Sequence, residues 1–110
     1  MGNSLAVTKE TTFGNDGIAT IVVGPAIRGE VWDIEQISVS TDNTDDFLTQ
    51  AYVYRETLSP SNLIEATING NADVTNTNMR ITAPELVWIQ WLLGESGKRA
   101  VLRIEGKREY

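Results

Sequence analysis

The apolar positions of this chain recur with period two and almost nowhere with helical spacing. Side chains that alternate in this way belong to strands. Residues 18–23, Ile-Ala-Thr-Ile-Val-Val, form a β-branched run closed by Gly24-Pro25. The turn signal Gly14-Asn15-Asp16-Gly17 precedes it and predicts a hairpin between residues 5–13 and 18–23. Residues 29–40 make the longest strand candidate, with Trp32 and Ile34 on one face and Ile37 and Val39 in the opposite phase. A phase change at Glu35-Gln36 predicts a β-bulge that turns both halves toward one core.

A polar loop at 41–46 leads into a strand at 48–55, with Ala51 and Val53 opposing Tyr52 and Tyr54. A break at Ser59-Pro60-Ser61-Asn62 precedes a short strand at 63–68. The Asn-rich residues 69–78 are expected to be a loop, because Asn tolerates left-handed turns. A short strand at 79–82 and a turn at Pro84-Glu85 follow. Residues 85–93 are apolar on both faces, Val87, Ile89 and Trp91 against Leu86, Trp88 and Leu92. That strand is expected to be covered on both sides, internally or by a partner. Gly94-Glu95-Ser96-Gly97 is expected to be a hairpin loop before a last strand at 100–104. Seven to eight short strands separated by turn clusters predict an all-β fold, an antiparallel β-sandwich that is jelly-roll-like. The 110 residues are expected to form a single domain, with an N-terminal arm at about 1–13 and a short charged C-terminal tail at 106–110.

Composition then removes functions. The chain has no cysteine, which excludes disulfides and thiolate chemistry, and no histidine, which removes the commonest general base and metal ligand. A binding protein is expected, not an enzyme, and no cofactor. The net charge of −6 argues against nucleic acid. Its distribution is polar: residues 1–79 carry −8 and residues 80–110 carry +2. No apolar run approaches the ~20 residues of a membrane span. The start lacks the basic and apolar regions of a signal peptide, and Ala6 spoils a myristoylation match. A soluble protein made in a cytoplasm is expected.

Each candidate site has a plainer counterpart. Asp42, Asp45 and Asp46 could offer hard oxygens to calcium, but they lack the turn glycine and distal glutamate of an EF-hand, so a solvated loop is preferred. Glu30, Asp33 and Glu35 could supply paired carboxylates for hydrolysis, but outward strand charges are preferred. Tyr52, Tyr54, Trp88 and Trp91 are candidate contact anchors, with one of the two tryptophans expected to point away from the core. Lys98, Arg99, Arg103, Lys107 and Arg108 form a basic cluster, either solvated or set against an acidic neighbour. Leu5, Val7 and Phe13 are the apolar contact candidates of the arm.

Four stretches then resemble a family. GEVWDIEQISVST (29–41), AYVYR (51–55), SPSNLIEATINGNADVT (59–75) and PELVWIQWLLGESGKRAVLRIEG (84–106) are similar to small structural proteins of tailed phages, especially those of actinobacteria. Pro84 stands where that pattern has a glycine, while Trp91, Gly94 and Gly97 match. The resemblance implies a β-sandwich virion protein, of head decoration or minor tail type. On that basis the expected function is capsid decoration: an oligomer, a trimer among the options, fastened to the outer face of the major capsid protein lattice on the phage head. Its partners would be the major capsid protein and itself, with no nucleic acid and no membrane. The alternative is a minor tail or fibre-associated module that binds host glycan. The arm and tail would be the clamping segments, so deleting residues 1–12 would abolish binding without unfolding the domain.

Overall fold

The computed structural model describes residues 3–43, 49–56, 61, 63–67 and 72–109, with the backbone alone at 65–67. Among these residues eight strands follow in order: β1 Asn3–Thr12, β2 Ala19–Val23, β3 Val31–Thr41, β4 Gln50–Arg55, β5 Leu63–Thr67, β6 Ala72–Thr82, β7 Val87–Leu92 and β8 Arg99–Glu109. They form two four-stranded sheets, β1-β8-β3-β6 and β2-β7-β4-β5, and every pairing is antiparallel. Only β4 and β5 are neighbours both in sequence and in a sheet. Every other connection crosses between sheets, which is the double Greek key of a jelly roll. The expected all-β sandwich is therefore present, and its jelly-roll character is explicit in the strand order.

The alternation read in the sequence builds the core. Ile21 and Val23, Ala51 and Val53, and Val87, Ile89 and Trp91 come from one sheet. Leu5, Trp32, Ile34, Ile37, Val39, Met79, Ile81, Ala100, Leu102 and Ile104 come from the other. The bulge lies where the phase change placed it: β3 shifts register between Ile34 and Gln36 against both β6 and β8. All four apolar residues flanking it are buried as a result. Gly106 of β8 sits opposite Ile34, and a methyl group there would run into the Asp33 carbonyl. Glycine is what lets the central strand pass the bulge.

Several boundaries differ from the sequence expectation. The turn at 14–17 forms, with Gly17 N donating to Gly14 O at 3.0 Å. It does not close a hairpin, because β1 pairs with β8 and β2 with β7. The loop at 94–97 likewise joins β7 to β8 across the two sheets rather than within one. The two crossings run side by side instead: Phe13 N donates to Lys98 O, Gly97 N to Phe13 O and Gly94 N to Gly17 O, each at 2.9 Å. Phe13 plugs that end of the core, its ring so close to Gly94 that no side chain fits there.

The arm expected at 1–13 is not one over its described residues: Asn3–Thr12 is a strand matched residue for residue with Arg108 through Arg99. The tail at 106–110 is also strand as far as Glu109. Residues 72–78, expected as loop, belong to β6, and residues 69–71 lie outside the described residues. The turn at Pro84-Glu85 holds, with Glu85 N donating to Thr82 O at 2.8 Å.

Candidate functional site

The two sheets present outer faces of different chemistry. On the β1-β8-β3-β6 sheet the outward residues pair as acids with bases. Arg80 bridges Asp33 at 3.0 Å and Glu109 at 3.4 Å, Arg103 meets Glu105 at 2.6 Å, and Arg99 meets Asp42 at 2.9 Å and Glu10 at 3.6 Å. Ion pairs this exposed each contribute about 0–1 kcal/mol and suit a solvated surface.

The β2-β7-β4-β5 sheet differs. Its outward positions form cross-strand rows fixed by the register. One row is Val22, Trp88, Tyr54 and Leu63, and the next is Thr20, Gln90 and Tyr52. Gln50 and Leu92 begin a third. No charged side chain occurs among these described residues, in a chain of which 22% is charged. Val22 and Leu63 are 43% and 41% exposed, and Trp88, Tyr54 and Tyr52 are half-buried between them.

Several polar atoms of this face are occupied sideways. The Tyr52 hydroxyl donates to Gln50 Oε1, and Gln90 Nε2 donates to Thr20 Oγ1 at 3.4 Å. Trp88 Nε1 donates to the Glu56 carbonyl at 2.8 Å, which ties the indole to the end of β4. Glu56 holds that carbonyl in place from a left-handed backbone, φ 69°. Such a conformation costs a non-glycine residue about 1–2 kcal/mol. With those hydrogen bonds made laterally, the face offers a partner mostly aromatic and aliphatic surface. Depletion of charge with enrichment in Tyr and Trp is the composition of an interface centre.

The sequence candidates are distributed as follows. Tyr52, Tyr54 and Trp88 come together on this face. Trp91 is 0% exposed and cannot meet a partner; it points inward beside Val87 and Ile89, which fill the same side of β7. Leu5 and Phe13, each 2% exposed, are core residues as well, because β1 is part of the sandwich. Val7 packs half-buried at the margin of the core.

The basic cluster is not one patch. Arg99, Arg103 and Lys107 follow one another at four-residue intervals on the outward side of β8 and sit among acids. Lys98 pairs with Glu95 at 3.8 Å. Arg108 faces the other way. Its Nε is buried 3.0 Å from Glu30 Oε2 without a hydrogen bond to it, an ion pair at the sandwich margin.

Glu30, expected as an outward strand charge, is buried at 5% exposure. It accepts from Trp32 Nε1 at 3.0 Å and from the Ile27 amide at 3.3 Å. The Trp32 hydrogen bond, with the Arg108 charge adding to it, holds its carboxyl below the usual carboxylate range. Asp33 is committed to Arg80 and Glu35 is exposed at the bulge, so the three carboxylates do not converge. Asp42 pairs with Arg99, and Asp45 and Asp46 lie outside the described residues. Among the described residues no three acidic side chains gather as a metal site.

The sequence reading missed Val22 and Leu63. The signal for Val22 was present: it is an apolar residue in the outward phase of a strand whose Ile21 and Val23 already fill the inward one.

No family model matches the chain, and no curated protein matches it. Solved structures do. The chain is similar to one in the acid-stable capsid structure of Helicobacter pylori bacteriophage KHP30, at 18% identity, TM-score 0.55, covering 100% of both chains. It is also similar to the Drosophila NLP core, a structure concerned with pentamer formation and histone binding, at 15% identity, TM-score 0.46, covering 96% of this chain and 98% of that one. A third is PliG of Aeromonas hydrophila, a periplasmic inhibitor of g-type lysozyme, at 11% identity, TM-score 0.47, covering 93% and 85%. At such identities the likeness is one of fold.

Proposed function

We propose that this chain is a structural protein of a phage virion, and specifically a decoration protein that seats its uncharged sheet face on the outside of the major capsid lattice. The observation that carries this reading is the row Val22, Trp88, Tyr54 and Leu63, which crosses all four strands of a sheet with no charged residue among its members. The full-length similarity in fold to a chain of a phage capsid structure supports it. So do the stretches that resemble tailed-phage structural proteins.

Size bears on mechanism. Four strands about 4.8 Å apart and roughly 20 Å long present about 300 Å² in projection. A stable one-to-one interface buries about 800 Å² per partner. The face is therefore small for a lone complex and suited to a lattice, where linked copies gain avidity without new contacts. The role needs burial and no chemistry, in keeping with a chain that has neither histidine nor cysteine.

The test is co-sedimentation of the purified protein with undecorated heads, with tails in parallel. The expected result is saturable binding to heads at a fixed ratio to capsid subunits. The double variant Trp88→Ser/Tyr54→Ser should bind at least ~10-fold more weakly while remaining folded, the scale of losing a central aromatic anchor. Binding to neither particle overturns the proposal.

The three neighbouring rings Tyr52, Tyr54 and Trp88 favour a second reading, a tail-associated module that stacks on host glycan. Binding to tails alone, together with glycan-array signals lost in Trp88→Ala, would select it.

A further inference from the structure

We propose that two copies of this chain pair edge to edge through β1, antiparallel about a two-fold axis at Val7, and join their β1-β8-β3-β6 sheets into one. This uses a different edge of the molecule from the docking face, sharing with it only Val22 at the margin of the groove beside β1, and does not depend on it.

Among the described residues the sandwich has four strand edges, and an open edge is a row of unpaired amides and carbonyls that invites another strand. Natural proteins blunt such edges by shortening them, bulging them or placing charge on them. Three of the four are blunted here. β2 and β5 have five residues each, and β5 also shifts register against β4 at Val53/Tyr54. β6 is long but shifts register against β3, with Ile34 opposite Met79 and Gln36 opposite Asn76. β1 is both long and regular: ten residues in unbroken register with β8, none of them proline.

The occupant must be an equally long, regular and near-neutral strand, and β1 itself meets those terms. Its only charges are Lys9 and Glu10, so it is neutral within a chain of net charge −6 that elsewhere repels its own copies. Antiparallel pairing about a two-fold matches residues of the same face. An axis at Val7 sets Ala6 against Thr8, Ser4 against Glu10, Leu5 against Lys9, and Val7 against its own copy. No like charges meet, and the outward residues at the seam are small.

On the inner side of β1 lies an open groove of about 440 Å³ lined by Val7, Lys9, Val22, Gly24, Trp32 and Leu86. The axis at Val7 lays the partner's edge along this groove, so that the two apolar grooves become continuous. The Lys9 stem covers it while the ammonium stays in water.

The test is sedimentation velocity on the full chain, without phage particles, from micromolar to millimolar concentration. Wild type is expected to be a dimer. A6K/T8K sets Lys against Lys on both sides of the axis and should weaken dimerisation at least ten-fold, with an unchanged circular dichroism spectrum. A6K/T8E sets Lys against Glu and should restore the dimer. V74K, at an exposed position of β6 on the far edge of the same sheet, should remain dimeric. A monomeric or trimeric wild type, or a dimer indifferent to A6K/T8K, overturns the proposal. A monomeric A6K/T8E overturns the axis at Val7. Binding to heads plays no part in any of these readouts, so either proposal can fail alone.

Discussion

Glu30 is the residue whose chemistry departs furthest from its place in the sequence. Its carboxylate is buried between Trp32 Nε1, the Ile27 amide and Arg108. Because its folded pKa lies below the ordinary value of 4.5, the ionised form is what the fold stabilises. That contribution is complete above the ordinary value and is lost as pH falls through the lower folded one. Glu30→Gln should therefore melt below wild type at neutral pH, and the gap should narrow once the pH drops beneath the ordinary carboxylate range. Thermal melts of both proteins across that acidic range check this, and a gap independent of pH would show that the charge is not what matters. No spacing rule pointed to this cluster, because Arg108 lies far from Glu30 in sequence and is brought there by the pairing of β3 with β8. The tryptophans show the same limit on a smaller scale. Alternation established that Trp88 and Trp91 face opposite ways, but only the position of β7 within its sheet decides which way is inward.

Elements with an apolar phase were legible, and those without one were not. The bulge of β3 could be read from its residues, since Trp32, Ile34, Ile37 and Val39 can share one core only if the strand slips by a residue. The first half of β6, Ala72 to Asn78, carries Asp, Asn and Thr with one exposed Val, and so reads as loop. It is nevertheless strand, because the exposed backbone of β3 needs a hydrogen-bonding neighbour more than it needs an apolar one. β1 was misjudged for a related reason: its partner lies at the other end of the chain. Its place in the sheet reverses one expectation. Deleting residues 1–12 should unfold the domain rather than merely disarm it, since the cut removes Leu5 from the core and strips one whole side of β8. The check is loss of the cooperative melt and of dispersed amide resonances; a folded truncation would contradict the assigned register.

At the scale of the molecule, the fold class followed from the number and spacing of strands, whereas the pairing did not. A jelly roll sends nearly every connection from one sheet to the other, so strands adjacent in sequence are rarely adjacent in space. Turn residues mark where the chain reverses and carry no label for the sheet it enters. The same crossing topology sorts the outer faces into a charged one and one whose described rows carry no charge, although charge along the sequence divides only into an acidic first part and a basic last part. This division gives the docking proposal a measurable property. Contact through the uncharged face should change less than about threefold in affinity between low salt and ~0.5 M salt, where exposed charge pairs are screened. Contact through Arg99, Arg103 and Lys107 would weaken steeply over that range. A salt titration of the head-binding assay distinguishes the two faces.

The burial of Trp32 and Trp91, at 5% and 0% exposure, beside a half-buried Trp88 has an optical consequence. Of the three indoles, Trp88 alone is open to a dissolved quencher such as acrylamide. The fraction of emission that acrylamide reaches should come from the middle of the uncharged face. When a partner settles there, that fraction should disappear while the emission of the two core indoles stays as it was, so the unlabelled protein reports its own engagement.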